Sequence, residues 1–245
     1  MRRQIDRPKE CFAFFKRTDK KLNKLAMFIH GFRGNYLTTW GELPELLHWE
    51  ADKKQVFEDW DYVFLGYDTS AVKTYLDIAN LVWTHWNLAS KGSSPYDEQY
   101  QRLALFGHSL GTLGLRQALC ATSKQPKLML QALHSVTFFG TPINGSPWAD
   151  AAEIVYDIGA ALVPSSPQLR MLKAWTETAR ASTTWPDVTV VLGTDDKVVG
   201  YTNGELVSWE GDDKIISYTH FDHSELVKPS GWSSGVIDYV RSGLK

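Results

Sequence analysis

Residues 103–112 read L-A-L-F-G-H-S-L-G-T and contain the motif Gly-x-Ser-x-Gly at Gly107, Ser109 and Gly111. The apolar residues before the motif favour a short buried strand, and the residues after it repeat at helical spacing. A strand, a sharp turn and a helix in this order lift the serine hydroxyl off the edge of a sheet, where a base can reach it. Glycine on both sides tolerates the close backbone approach that such a turn needs. The pattern therefore predicts Ser109 as a nucleophile.

Strand and helix patterns alternate on both sides of this motif. Apolar runs that predict further strands are residues 11–16, 25–30, 62–67, 133–139, 188–192 and 214–218. Helical spacing occurs in residues 40–60, 74–88 and 234–241, and residues 123–127 predict a loop. Alternation of this kind predicts one α/β domain over residues 1–245, with a mostly parallel sheet and helices on both of its faces, a three-layer fold.

Residues 148–185 interrupt the alternation with two helical patterns that are separated by Pro164-Ser165-Ser166-Pro167. Their length and the two prolines favour a small helical cap inserted above Ser109. Aromatic residues are frequent in the segment and predict an apolar inner face that contacts substrate, with Trp148 as the first candidate. The alternative is that these aromatics only pack the segment onto the sheet.

Composition narrows the function classes. A chain of 245 residues, 43% hydrophobic and 22% charged, is typical of one globular domain. Its net charge of -2 and pI near 6.4 argue against a nucleic-acid partner, which would require a basic face. No apolar run reaches the ~18 to 20 residues needed to cross a bilayer, so any membrane contact is expected to be peripheral. The charged start has no signal-like apolar run after it, and we expect a cytoplasmic protein.

A serine nucleophile needs a base, an orienting acid and an oxyanion hole, each in a loop that follows a strand. Asp195 and Asp196 follow the strand at 188–192, and His220 and His223 follow the last strand. The order Ser, Asp, His is the one that accompanies a serine in this turn. At this point either aspartate is a candidate acid and either histidine a candidate base.

Metal and nucleotide chemistry have little support in the sequence. Histidines at ligand spacing with a carboxylate on one helix face are lacking, and the glycine-rich turns lack the lysine of a phosphate-binding loop. We therefore expect neither a metal nor an organic cofactor.

The chain resembles the α/β-hydrolase superfamily, in its lipase and serine-esterase branch. The resemblance spans residues 25 to about 230 and rests on five segments. These are His30-Gly31-Phe32-Arg33-Gly34 with Thr39-Trp40, Gly107-His108-Ser109-Leu110-Gly111, Gly140-Thr141-Pro142 with Gly145-Ser146, Asp196-Lys197-Val198-Val199, and His223 to Pro229. One departure is Thr112, which stands where many relatives have a second glycine; we expect it to tighten helix packing without touching the serine hydroxyl.

The resemblance implies a role for each matching residue. Ser109 would attack a carbonyl carbon, His223 would act as its base, and Asp196 would orient the imidazole. The backbone N–H groups of Phe32 and Leu110 would form the oxyanion hole. Further residues expected beside the substrate are His30, Gly31, His108 and Trp148, with His30 and His108 flanking the site and bonding to loop backbone.

The implied activity is hydrolysis of a carboxylic ester through an acyl-enzyme intermediate, with a small-molecule or lipid-like ester as substrate. Two alternatives remain open. The same triad serves amidases, thioesterases and acyltransferases, and a hydrolase fold can also be a catalytically silent binding module.

Overall fold

The computed structural model describes residues 2–6, 10–16, 20–50, 54–120, 124–147, 149, 156–182, 185–199, 215–218 and 220–245. Within these ranges one sheet of eight strands forms the centre of the protein. The strands are β1 (Arg2–Asp6), β2 (Glu10–Phe15), β3 (Lys24–Ile29), β4 (Asp61–Tyr67), β5 (Arg102–His108), β6 (Leu133–Phe139), β7 (Val188–Gly193) and β8 (Ile215–Tyr218).

The strand order in the sheet is β1-β2-β4-β3-β5-β6-β7-β8. Strand β1 pairs antiparallel with β2, and β2 pairs antiparallel with β4. The remaining six strands are mutually parallel. Because β3, β5, β6 and β7 are neighbours, the loops at their carboxyl ends meet along one edge of the sheet.

Helices cover both faces of the sheet. They are α1 (Leu43–Trp49), α2 (Tyr75–Ser90), α3 (Leu110–Cys120), α4 (Lys124–Ala132), α5 (Gly159–Leu162), α6 (Pro167–Ser182) and α7 (Gly235–Leu244). The buried residues of α2, α3, α4 and α6 belong to one core cluster, and those of α1 and α7 belong to a second. Short 3₁₀ helices occupy Thr38–Trp40, Gln55–Asp59, Thr69–Ala71 and Glu225–Val227.

Strand β3 shows how the sheet separates the two cores. Leu25, Met27 and Ile29 face the first cluster, whereas Ala26 and Phe28 face the second. Side chains alternate along a strand, so a strand buried on both faces must be apolar at every position. The continuous apolar run that predicted this strand follows from that requirement, and the predicted three-layer, mostly parallel α/β fold is confirmed.

Two local predictions were wrong, and one strand lies outside the predicted runs. Residues 40–60 do not form one helix, because Gly41 has a φ of 57° and separates the 3₁₀ turn from α1. The predicted loop at 123–127 contains the start of α4, where Pro126 lies in the first turn and no backbone donor is needed. The charged segment Arg2–Asp6 forms β1, an edge strand whose backbone pairing does not need an apolar pattern.

The predicted cap segment divides between two places. Trp148 and residues 150–155 lie outside the described residues. Helix α6 packs against α3, with Cys120 Sγ 3.5 Å from Thr176 Oγ1, so it belongs to the helical layer on one face of the sheet. The described residues between them, 149 and 156–162, include positions beside Ser109. In the described part of the chain, no helix has the length and apolar character needed to span a bilayer.

Candidate active site

Ser109 lies in the sharp turn between β5 and α3. Its φ is 52°, in the left-handed region that a non-glycine residue seldom occupies, and its N–H donates to the carbonyl oxygen of Phe139 at 2.9 Å. The loop after β3 lies directly against this turn. A Cβ atom added at Gly31 would be 2.6 Å from Ser109 Cβ, so this approach requires glycine. The predicted strand, turn and helix are present.

Asp196 and His223 form a hydrogen-bonded pair beside the serine turn. His223 Nδ1 lies 2.7 Å from Asp196 Oδ2, and the two side chains are 14% and 3% exposed. Asp196 Oδ1 accepts hydrogen bonds from the N–H groups of Val198 at 2.9 Å and Val199 at 3.0 Å. Because the carboxylate accepts from Nδ1–H, the second ring nitrogen, Nε2, is left as the basic one.

The alternative pair, Asp195 and His220, lies at the surface. Their side chains are 56% and 87% exposed, and the ring nitrogen is 3.6 Å from the carboxylate. The structure thus brings together the aspartate and histidine that the resemblance selects and leaves the other two in solvent.

The end of β6 joins Ser109 to the imidazole of His223. Phe139 accepts the hydrogen bond from the Ser109 N–H, and a Cβ atom at the next residue, Gly140, would be 3.0 Å from His223 Nδ1. Gly140 has a φ of 55°, which also favours glycine. The serine turn and the histidine ring therefore adjoin consecutive residues.

His108 supports the His223 loop from beneath. Its Nε2 lies 2.9 Å from the backbone oxygen of His223, and the two ring centroids are 4.7 Å apart. Desolvation by burial, followed by the nearby His223, lowers the pKa of His108 to about 3. A neutral ring with its proton on Nε2 donates to that carbonyl, so His108 bonds to loop backbone as predicted.

His30 supports the loop on the other side of the serine. Its Nε2 accepts from the Tyr67 N–H at 3.1 Å, so its Nδ1–H donates to the Gly31 carbonyl at 2.8 Å. Burial lowers the pKa of His30 to about 4. Both ring nitrogens are engaged by backbone, which agrees with the predicted bonding to loop backbone. The contact of His30 with substrate stays a prediction, and neither ring nitrogen is free to donate or accept a hydrogen bond in it.

A small, largely apolar pocket opens at Ser109. Its volume is about 80 Å³. Its walls are Phe32, Ser109, Pro142, Ser146, Ala149, Leu162 and Val198. Phe32 also packs edge to face on Tyr156, with 5.0 Å between ring centroids. Of the residues predicted beside the substrate, Phe32 lines the pocket and Gly31 touches the serine turn, while Trp148 lies outside the described residues.

Three hydroxyl contacts, which the sequence did not predict, connect the serine turn to the Asp196 loop through residues 140–146. The Thr112 hydroxyl donates to the Ser109 carbonyl oxygen at 2.6 Å and is hydrogen-bonded to Thr141 Oγ1 at 2.7 Å. The Ser146 hydroxyl donates to the Val198 carbonyl oxygen at 2.6 Å. We call these contacts the hydroxyl brace. Two of the hydroxyl residues, Thr141 and Ser146, belong to the G-T-P-x-x-G-S segment, which is the sequence signal for these contacts.

The described part of the chain contains no cluster of side chains that could form a metal site. No group of three or more His, Cys, Asp or Glu side chains there is arranged to hold an ion.

A serine in a strand-turn-helix elbow, beside an Asp-His pair on a mostly parallel sheet, defines an α/β hydrolase of the serine type. Residues 19–158, more than half of the chain, match the family model described as "Putative serine esterase (DUF676)", and the chain belongs to this family. It is a carboxylic ester hydrolase. No curated protein matches the sequence.

Solved structures of esterases and lipases share the fold. Est1E from Butyrivibrio proteoclasticus has a TM-score of 0.61 and 12% identity, covering 99% of this chain and 98% of that one. The mature lipase BlEst2 of Bacillus licheniformis has a TM-score of 0.63 and 14% identity, covering 96% and 98%. An S-formylglutathione hydrolase from Agrobacterium tumefaciens has a TM-score of 0.58 and 10% identity, covering 99% and 97%. At these identities the likeness concerns the fold.

Proposed function

We propose that this esterase cleaves its substrate through an acyl-enzyme intermediate, with Ser109 as nucleophile, His223 as general base and Asp196 as orienting acid. The observation that carries the proposal is the 2.7 Å bond between His223 Nδ1 and a nearly fully buried Asp196 carboxylate, next to the serine turn. An Asp-His pair with this geometry holds Nε2 ready to accept a proton.

The chemistry proceeds in two halves. Ser109 Oγ attacks the ester carbonyl carbon while its proton passes to His223 Nε2, and the imidazolium then protonates the departing alcohol oxygen. In the second half a water molecule gives a proton to the same nitrogen and attacks the acyl carbon, and as the bond from that carbon to Oγ breaks, the imidazolium returns the proton to Ser109 Oγ and the acid is released. Asp196 stabilises the imidazolium in both halves without taking its proton.

The oxyanion of each tetrahedral intermediate would be held by two backbone N–H groups, those of Leu110 and Phe32. Leu110 is the first residue of α3, where the N–H has no partner within the helix and the helix dipole is positive. Phe32 follows Gly31, whose contact with Ser109 brings this loop to the nucleophile. Donors fixed before the reaction stabilise the developing charge at no cost of reorganisation.

The apolar pocket at Ser109 favours an ester with an uncharged part beside the scissile bond, from a small molecule or a lipid. Within the predicted cap, Ala149 and Leu162 contribute to this pocket, so we propose that the described residues 149 and 156–162 cover the serine. The cytoplasmic location and a peripheral membrane contact stay predictions from the sequence.

The experiment is labelling with a serine-directed fluorophosphonate, together with turnover of p-nitrophenyl esters. Ser109→Ala should abolish labelling and lower kcat on the order of 10⁴-fold, since it removes the nucleophile. Ser233→Ala, at an exposed position, is the matched control and should retain both. Labelling that persists at another serine in Ser109→Ala would overturn the assignment, and a wild-type protein that neither labels nor turns over would favour the binding-module alternative.

The two adjacent aspartates allow a second test, which asks which of them orients His223. Asp196→Asn should lower kcat on the order of 10³- to 10⁴-fold, because the amide stabilises the wrong tautomer of His223. Asp195→Asn changes the same charge at an exposed neighbouring residue and should leave kcat unaltered. The reverse ranking would assign the acid to Asp195.

A further inference from the structure

A second and larger cavity lies behind one wall of the serine pocket. It has a volume of about 400 Å³ and lies between the loop after β6 and the start of α6. Its walls are Ile143, Asn144, Pro164, Ser165, Leu169, Arg170 and Lys173. Like the serine pocket, it is built from the loop that follows the carboxyl end of β6.

The partition between the two cavities is thin. Pro142, Ser146 and Leu162 line the serine pocket, while residues one or two positions away in the sequence, Ile143, Asn144 and Pro164, line the second cavity. The two chain segments that form this partition, residues 142–146 and 162–164, are in direct contact, because the Ser146 N–H donates to the Leu162 carbonyl at 2.8 Å. A Cβ atom at Gly145, whose φ is 86°, would be 2.6 Å from that same carbonyl oxygen. A substrate extending from Ser109 over this partition would enter the second cavity.

The charged side chains described in the wall of this cavity are both positive. Arg170 and Lys173 are three residues apart on α6, and both line the cavity. The described residues of its wall include no carboxylate, and neither cation forms an ion pair within the described ranges. Other surface lysines do form such pairs, for example Lys16 with Glu98 at 3.1 Å. Two cations without a carboxylate in a concave wall concentrate positive potential there.

We propose that this cavity binds an anionic group, a phosphate or carboxylate, of the ester that Ser109 cleaves. The inference rests on the proposed function and adds a substrate class to it. The small apolar pocket receives the uncharged part beside the scissile bond, and the Arg170 guanidinium and Lys173 ammonium bind the acid group. The substrates are therefore acidic amphiphilic esters, with the anion separated from the ester carbonyl by the width of the partition.

The test compares esters that differ only in a terminal charge. The mono-p-nitrophenyl esters of succinate, glutarate, adipate and suberate are each paired with the neutral p-nitrophenyl ester of the same acyl length. The variant Arg170→Gln/Lys173→Gln should raise KM for the longer anionic esters roughly five- to tenfold, as expected for the loss of two partly exposed charge contacts. The kcat for both series and the KM for the neutral series should stay within twofold of wild type.

The matched control is Lys91→Gln/Lys245→Gln. It removes the same charge from the carboxyl ends of α2 and α7, at the opposite edge of the sheet. If this variant raises KM for the anionic esters as much as the cavity variant does, or if the cavity variant alters both ester series equally, the proposal is overturned. Ser109→Ala separates the two proposals, because hydrolysis that survives it contradicts the proposed function, whereas an unchanged KM in an active cavity variant contradicts only the anion site.

Two further experiments complete the test. The first identifies the source of the anion, and the second measures anion binding without relying on turnover. Hydrolysis of dihexanoyl phosphatidic acid as monomers is compared with that of dioleoyl phosphatidic acid in phosphatidylcholine vesicles. A charge-dependent effect in monomers alone indicates a soluble anionic ester, and an effect in both indicates a lipid headgroup. Binding of inorganic phosphate to Ser109→Ala, measured by calorimetry, should weaken at least fivefold when the two cations are removed. Equal phosphate affinity with and without them would refute the site.

Discussion

Acidification from pH 8 to pH 5 should destabilise this protein, because it charges histidines that the fold buries as neutral rings. Burial lowers the pKa of His30 to about 4, that of His85 to about 4 and that of His108 to about 3. An exposed histidine in the unfolded chain has a pKa of about 6.5. The unfolded state therefore binds more protons below pH 6.5, so the stability from these groups is complete above that pH and is lost as the pH falls.

The magnitude follows from the width of the interval. Between pH 6.5 and 5 each buried ring stays neutral in the folded state and becomes charged in the unfolded state. Each ring therefore lowers the free energy of unfolding by about 1.4 kcal/mol per pH unit, or about 2 kcal/mol over this interval. The three rings together remove about 6 kcal/mol, which is a large part of the roughly 5 to 15 kcal/mol that stabilises a typical domain. Carboxyl groups with a lowered pKa, Asp68 and Asp222, lose their contribution only at lower pH and do not affect this interval.

The measurement is the free energy of unfolding from urea titrations at pH 8, 7, 6 and 5, followed by tryptophan fluorescence and far-UV circular dichroism. His85 is the position to vary, since it lies away from the candidate site and contacts the Tyr96 hydroxyl at 2.6 Å. His85→Gln keeps a polar partner for that hydroxyl and should reduce the pH slope by about one third.

His220→Gln is the matched control, because that ring is 87% exposed and remains in water in both states. It should leave the slope unchanged. An unfolding free energy that is the same at pH 7 and pH 5, or a slope that His85→Gln does not alter, would refute the reasoning from buried neutral histidines.

Two further predictions concern the geometry of the site. Gly31→Ala should lower kcat about 10²-fold, since its Cβ would displace the loop or the serine turn by an ångström or more, and wild-type turnover would contradict the assigned contact with Ser109. Ser146→Ala should lower kcat about tenfold by releasing Val198 and the Asp196 loop, while Ser146→Thr, which keeps the hydroxyl, should recover part of the loss; equal kcat for both variants would exclude the brace as a positioning element.

The sequence predicts the parts of this fold that are encoded locally. The serine elbow is specified within five residues, and the buried parallel strands are specified by runs that are apolar at every position. The choice between Asp195 and Asp196 is different, because adjacent acids in a turn have no local pattern that shows which one faces inward, and only the resemblance favoured Asp196. The turn decides it: the Asp196 N–H bonds back to Gly193 at 3.3 Å, and its carboxylate receives two further N–H groups, whereas Asp195 extends into solvent.

The parts that the sequence did not predict depend on contacts between distant segments. Helix α6 has the same spacing whether it caps a site or packs in a layer, and only its contact with α3 shows which. The role of His30 depends on Tyr67, which is 37 residues away and belongs to the neighbouring strand. The sequence alone does not show that both ring nitrogens of His30 form hydrogen bonds with backbone groups.

The hydroxyl brace and the buried histidines hold the loops of the site in the same way, through hydrogen bonds from uncharged groups. Neutral hydrogen bonds join segments of the site that are distant in the sequence: His108 to the His223 carbonyl, the Thr112 hydroxyl to the Thr141 hydroxyl, and Ser146 to the Val198 carbonyl. Neutral donors fix backbone without adding charge beside the imidazole of His223, and the proton transfers that we propose for this ring depend on the local field. Burial keeps the His108 ring neutral, so the desolvation that makes the fold sensitive to acid also allows this histidine to support the His223 loop without competing with His223, the proposed base.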